Sequence, residues 1–414
     1  MRISSAQFFQ LNVATMNDQQ AQLAQLYQQL SSGVSLTTPA DNPVGAAQAV
    51  QLSMTSATLQ QYTSNQSAAL SSLQAEDQAL TNVNNVLTSI QSTLVRAGDG
   101  SLSDSNRAAL ATQIQSARDQ LMTIANSDDG AGNYLFAGFK NGSQPFTNQA
   151  GGGVNYVGDT GTRNVQIADS RTLSQGDNGA SVFMSVPTFG SQAVPAGSAS
   201  NTGTGTISPV TVTSPSAATN NHQFTIQFGG TAAAPTYTVT DNSLVPPGPA
   251  PTAQPYTPGA AIALGGGQTV SVSGAPANGD KFTVSPAPQA VGGADVFSTL
   301  DAIVAALNTP SVNNPVAMAT LKNAMTAGST KLANTMLNVT TIQADVGGRE
   351  QEIKAMQTVT QTNSLQVSSN LADLTSTNIV STISQFTQLQ NALTGAQKAF
   401  VQMQNLSLFQ YINP

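Results

Sequence analysis

The chain has 414 residues, carries a formal net charge of −7 and uses Asp, Glu, Lys and Arg at only 8% of its positions, roughly a third of the usual share. It has no cysteine and a single histidine, which excludes disulfides, thiol chemistry and a zinc site built on histidine or thiolate ligands. The acidic balance with no basic cluster argues against nucleic acid as a partner, and no run of about eighteen apolar residues is available to cross a membrane.

The opening "MRISSAQFFQLNV" lacks the apolar core and cleavage site of a signal peptide, so export, if it occurs, is expected to need no cleaved signal. Phe9, Met16, Leu23 and Leu30 recur every seven residues, with Val13, Leu26 and Tyr27 beside them, which predicts a helix with a heptad seam. "LSSGVSLTTPADNPVG" then breaks it. Gly33 is suited to the left-handed backbone that closes a helix. Asn42 is a good N-cap, and Pro43 fits the first helical position, where its missing N–H costs nothing. The stretch between them, ending at Asp41, is predicted to be extended.

A second helix is predicted over 43–97. Leu52, Leu59, Leu73, Leu80, Leu87 and Leu94 lie at multiples of seven, with Tyr62, Ala69, Val83, Ile90 and Ala97 three residues on, and only Gln66 interrupts the leucine row. At 1.5 Å per residue such a helix is on the order of 80 Å long. Ser103 or Ser105 caps a third helix with Leu110, Ile114, Leu121 and Ile124 on one face, ended by "NSDDGAGN". "AGNYLFAGFKNGSQPF" predicts a strand, a turn and a strand. In the middle zone "HQFTIQF", "TYTVT", "QTVSVSG" and "DKFTV" alternate apolar and polar residues between Gly, Pro and Asn, which predicts strands. Leu332, Met336, Val339, Ile342, Val346, Ile353 and Met356 predict a further long helix. Ile379, Phe386, Leu393 and Phe400, with Ile383, Leu389 and Met403 beside them, predict a terminal one that pairs with the first.

The expected fold is mainly α with a β-rich insertion: an elongated helical stem made of N- and C-terminal coiled-coil segments, carrying a small outer β-domain. Three zones follow. Residues 1–42 with 370–414 form a terminal coiled coil. Residues 43–175 with 294–369 form a helical rod with a β-hairpin shoulder, and 176–293 form the outer β-rich domain.

The terminal helices are nearly uncharged. Arg2 and Asp18 are the only charged residues over 1–40, and Lys398 is the only one over 374–414. Ordinary coiled coils flank their seam with charge. In a ring or tube of identical copies each outward charge would face copies of itself, so neutral amides suit repeated packing. This pattern predicts assembly through Phe9, Met16, Leu23, Leu30, Ile379, Phe386, Leu393 and Phe400; the alternative is a glutamine-rich, solvated coiled coil.

Residues for chemistry are sparse. His222 reads as a surface residue beside a strand. "SDDG" at 127–130 lacks the spaced carboxylates and closing Glu of a calcium loop and reads as a turn. Glu76–Asp77 and Glu350–Glu352 read as solvated helix faces. The triple glycines at 151–153 and 265–267 have no following Lys-Ser or Lys-Thr and are not phosphate loops. No catalytic, metal or cofactor site is expected, and the chain does not read as an enzyme.

"MRISSAQFF", "LSSGVSLTTPADNPVGAAQAVQL", "GNYLFAGFKNGSQPF" and "LQNALTGAQKAFVQMQNLSLFQYI" together resemble the bacterial flagellin and hook-associated family of flagellar axial proteins, over about residues 1–175 and 294–414. The break carries Asp41–Asn42 where the family pattern has two acidic residues. The resemblance implies a structural subunit of the bacterial flagellum at the hook–filament junction, outside the cell and exported without a cleaved signal. It implies as partners further copies of the chain, the hook-side junction protein FlgK, flagellin and the export chaperone FlgN. The chaperone would be met by Phe400, Met403, Leu406, Leu408, Phe409 and Tyr411. The break at Gly33, Asp41, Asn42 and Pro43 would separate an inner, tube-lining domain from the rod. Two alternatives are a flagellin filament subunit and a secreted adhesin with a helical stalk.

Overall fold

The computed structural model describes residues 5–36, 38–40, 42–149, 153–187, 189–244, 251–289 and 294–412; the side chains of residues 5, 6, 8 and 403–412 lie outside that description. The helices are α1 (Ser5–Ser32), α2 (Pro43–Ala97), α3 (Asp104–Ala125), α4 (Gly179–Phe183), α5 (Val296–Leu307), α6 (Pro315–Thr375) and α7 (Ile379–Ile412). The strands are β1 (Phe146–Asn148), β2 (Val154–Tyr156), β3 (Asn164–Ala168), β4 (Arg171–Ser174), β5 (Val194–Gly197), β6 (Thr206–Ile207), β7 (Thr211–Val212), β8 (Phe224–Thr231), β9 (Ala234–Asp241), β10 (Gln254–Pro255), β11 (Ala261–Leu264), β12 (Gln268–Ser273) and β13 (Lys281–Ser285). The fold is mainly α with a β-rich insertion, as the patterning predicts. The chain forms two compact units, one drawn from its two ends as far as Ser64 and from Met356 onward, the other from Asn65 to Ala355.

In the second unit the heptad rows of α2 and α6 are core. Leu73, Leu80, Leu87 and Leu94 are buried on α2, and Leu332, Val339, Val346 and Ile353 on α6. The helices run antiparallel, since Gly98 lies beside Met325 and Gln343 lies beside Asp77, Thr81 and Asn84. Gln343 Nε2 donates to Asp77 Oδ1 at 3.0 Å and to Thr81 Oγ1 at 2.9 Å, and its Oε1 accepts from Asn84 Nδ2 at 3.1 Å. Gln66, the interruption in the leucine row, is fully buried, and its Nε2 donates to the Ile167 carbonyl at 2.7 Å. Glu76 corrects the expectation of a solvated face, because it is only 2% exposed.

Ser103 caps α3, its hydroxyl accepting from Asn106 N–H at 3.2 Å. "SDDG" ends in turns as expected, with Asp128 Oδ1 accepting from Gly130 N–H at 2.8 Å. The segment 131–145 departs from its predicted strand–turn–strand: the first strand begins only at Phe146. The reason is a tight turn. Gly138 adopts φ +67°, and a Cβ there would collide with Asp159, whose Oδ1 accepts from Phe139 and Gly161 N–H groups at 2.9 and 2.8 Å. The turn still buries Leu135, Phe136 and Ala137. Phe136, Phe146, Phe183 and Phe297 then form an aromatic cluster, with ring centroids 5.3–6.0 Å apart. Arg118, 5% exposed, fixes α5 beside it by a fork to both Asp301 oxygens at 2.8 and 3.3 Å, and donates to Asn148 Oδ1 at 2.8 Å.

The predicted strands of the middle zone are β8, β9, β12 and β13. They belong to a five-stranded sheet ordered β10-β9-β8-β13-β5 and a smaller one ordered β11-β12-β6, with β7 also paired to β12. Phe224, Ile226, Phe228, Ile262, Leu264, Val270, Val272, Phe282 and Val284 from the two sheets make one buried core. Pairs of rings meet edge-on inside it, Phe228 with Tyr256 at 4.9 Å and with Phe282 at 5.6 Å. His222 is half-buried rather than a free surface residue, its Nδ1 lying 2.7 Å from Asp241 Oδ2.

Asparagines hold these pieces to the helices. Asn323 of α6 accepts from Ile207 N–H at 2.9 Å and donates to the Gly205 carbonyl at 3.0 Å. Asn334 exchanges the same two bonds with Gln192, at 2.7 and 2.8 Å, and Asn338 donates to the Ser181 and Val182 carbonyls.

Replacing Asn323 by Ala strands two buried backbone groups and is expected to cost about 2–4 kcal/mol, measured as a lower urea midpoint. Phe282→Ala should cost about 3–5 kcal/mol, read through tyrosine fluorescence, since Tyr237 and Tyr256 flank that core and the chain has no tryptophan.

Candidate assembly interface

The terminal helices pair as their seams predict. α1 and α7 run antiparallel, for the Phe9 and Phe400 rings lie 4.8 Å apart at one end and Val34 bridges Ser376 at the other. Met16, Leu23 and Leu30 of α1 and Phe386, Leu389, Leu393 and Phe400 of α7 are half-buried along the pair. Phe9 joins it while remaining 45% exposed.

Other residues of the expected rows turn outward. Val13 and Tyr27 are exposed, so only Leu26 of the flanking set contributes. Ile379 is 55% exposed and Ile383 46% exposed, because the buried position in the first turns of α7 belongs to Thr382. The apolar row thus begins in space only at Phe386, about two turns later. Met403, Leu406, Leu408, Phe409 and Tyr411 lie outside the described side chains.

The break is a paired structure. Gly33, at φ +71°, closes α1 and donates its N–H to the Gln29 carbonyl at 2.9 Å. Beyond it the predicted extended stretch reduces to a single bridge at Val34, with Pro39 and Ala40 forming a turn, and a second break between α6 and α7 lies against it. Ser35 N–H donates to the Thr375 carbonyl at 2.7 Å, and Thr377 N–H to the Gly33 carbonyl at 2.9 Å. The side chains of Gln29 and Ser35 close the corner, donating to the Ser35 and Thr375 carbonyls at 2.9 and 3.1 Å. α2 then starts as predicted, with Pro43 at its first position and Asn42 Oδ1 accepting from Gly45 N–H at 3.0 Å. Asp41 lies outside the described residues. The partner break at Thr375–Thr377 escapes a reading of the sequence alone, although "TSTN" before an apolar run is a cap signal: Asn378 Oδ1 accepts from Ser381 N–H at 3.1 Å.

The unit built on this pair carries five charged residues, Arg2, Asp18, Asp41, Asp373 and Lys398. It also leaves Val44, Val50, Met54, Leu365 and Val380 at 61% exposure or more. Among the described residues no group of three His, Cys, Asp or Glu side chains is placed to hold a metal ion, and no helix there is long and apolar enough to cross a membrane.

Residues 3–141 match the family model of the bacterial flagellin N-terminal helical region. Flagellar hook-associated protein 3 of Escherichia coli K12 is 28% identical over 410 residues, which cover 99% of both chains. Among solved structures, flagellar hook-associated protein 3 from Legionella pneumophila aligns with TM-score 0.70 at 27% identity, over 78% of this chain and 98% of that one. FlgL from Xanthomonas campestris aligns with TM-score 0.66 at 28% identity, over 77% and 98%. With its helices drawn from both chain ends and its paired breaks, the chain is similar over its full length to flagellar hook-associated protein 3 (FlgL), and its N-terminal region to that of the flagellins.

Proposed function

We propose that the chain is a structural subunit of the bacterial flagellum outside the cell. It would form the junction ring between the hook-side junction protein FlgK and the flagellin filament, a ring needed for filament assembly and motility. The observation that carries this reading is the terminal unit, almost free of charge and with large apolar side chains facing outward. A lone chain gains nothing from exposing them, whereas identical neighbours would cover them. A solvated stalk would keep its charge.

Assembly in this reading runs along Phe9, Met16, Leu23, Leu30, Ile379, Phe386, Leu393 and Phe400. The exposure of Ile379 and Phe9 leaves them available to a neighbouring copy. The apolar run from Phe400 through Tyr411 is the segment an export chaperone such as FlgN would cover before secretion without a cleaved signal, since the same face is needed first soluble and later packed. The family is structural, and the chain is read as a building element and not a catalyst.

Electron microscopy of cells lacking the gene, with a flagellin assay of the medium, tests the proposal. Bare hooks with abundant shed flagellin are expected. Bare hooks with none in the medium would make the chain the filament subunit, and intact filaments would overturn both readings. Leu393→Asp, which puts a charge at a half-buried position on α7 at a cost of several kcal/mol if it stays unpaired, should abolish complementation of motility. The near-ultraviolet signal of the β-sandwich tyrosines should be unchanged.

A further inference from the structure

In the second unit a buried carboxyl, that of Glu76, lies beside a half-buried one, that of Asp177. Glu76, on α2, is 2% exposed, and its Oε1 accepts from Asp177 N–H at 3.0 Å. Asp177 sits in the connector 174–179, which leads from β4 into α4. Its side chain is held from the other side by Arg349 of α6, through Nη2, and the same nitrogen reaches Asp345 Oδ2 at 2.8 Å. Gly176 packs so closely that a Cβ there would lie 3.2 Å from Glu76 Oε2.

The polar ledger of this cluster is incomplete. Glu76 Oε2 and the Nε and Nη1 of Arg349 are buried with no hydrogen-bond partner among the described residues. Two carboxyl groups and the outlying Asp345, 72% exposed, face one guanidinium. The next charged groups are already engaged, Arg171 of β4 with Glu352 of α6, and Asp77 of α2 with Gln343. Among the described residues Arg349 is the one cation paired within this cluster, so an ionised Glu76 would lack a second positive charge.

We propose that Glu76 holds a proton beside Asp177 under the Arg349 clamp, forming a latch that fastens the 174–179 connector to α2 and α6 and loosens when that proton is lost. Burial first, and the Asp177 carboxylate second, push the Glu76 carboxyl from its ordinary 4.5 up to about 8. The fastened state therefore binds a proton that the open connector releases. The latch is at full strength below about pH 4.5, weakens as pH rises, and is spent above about 8. What the connector restrains is α4, whose Phe183 belongs to the aromatic cluster and whose Gly179 N–H donates to the Phe136 carbonyl at 2.8 Å. This device is independent of the assembly reading.

Hydrogen exchange of the full chain from pH 5 to 9, corrected for intrinsic rates, tests it. The opening constant at Asp177 and Gly179 should rise up to about tenfold per pH unit between 5 and 8 and then level off, while the amides inside α2 stay protected. In Glu76→Gln, which keeps the shape and the acceptor but cannot ionise, the profile should be flat. In Asp177→Asn the like charge is gone, so the levelling point should move below 8. A Gln variant that follows the wild-type profile, an Asn variant that leaves the levelling point in place, or a rise spread evenly over all helices would overturn the proposal.

Discussion

A buried backbone N–H or carbonyl must find a partner, and in this chain neutral amides supply much of that pairing where one element meets another. Asn323 and Asn334 of α6 and Asn126 after α3 each act as a single rung of sheet, accepting from one backbone N–H and donating to one carbonyl. Asn201 does the same for Lys281 within the β-rich insertion. Gln66 and Asn65 of α2 donate to the carbonyls of Ile167 and Gln166. A long helix has no spare backbone groups along its sides, so a strand or loop that lies against it must be met by side chains. Asn is short enough to do so with both ends of its amide.

This device explains how a chain with so little charge keeps its pieces in register. Among the described residues ion pairs are few, and several tie one element to another. Arg118 forks onto Asp301 beside the aromatic cluster, Arg349 holds Asp177 in the connector, and Arg171 meets Glu352. At such corners a guanidinium fixes direction through several N–H groups at once. Elsewhere amides suffice, and they bring no field that an identical neighbour would repel.

The two breaks show the same economy. Gly33 ends α1, and the residues after it are held by Thr375 and Thr377, where α6 gives way to α7. Both ends of the chain therefore change direction at one paired corner. A terminal helix pair joined this way is a separable element with its own apolar seam. That separability fits the proposed packing of the ends among copies of the chain, while the β-rich insertion keeps its own core.

Much of this was legible in the sequence because it depends on local rules. Heptad spacing fixed α2 and the buried rows Leu73–Leu94 and Leu332–Ile353. Cap chemistry narrowed the start of α3 to Ser103 or Ser105 and fixed Asn42–Pro43, and alternation fixed β8, β9, β12 and β13. The resemblance at the break and the chain ends pointed to the flagellar family. What escaped depends on partners distant in the chain. Nothing local distinguishes Glu76 from a solvated glutamate until the connector and Arg349 close over it. The "LFAGF" segment has strand composition, yet Asp159, some twenty residues on, bends it into turns. The outward face of Ile379 follows from where α1 lies, and the docking asparagines look like any other polar residue of a helix. Periodicity and caps thus determined which segments are helix and strand. Only the tertiary structure decided which polar side chains are buried, because that is set by pairing between groups up to hundreds of residues apart.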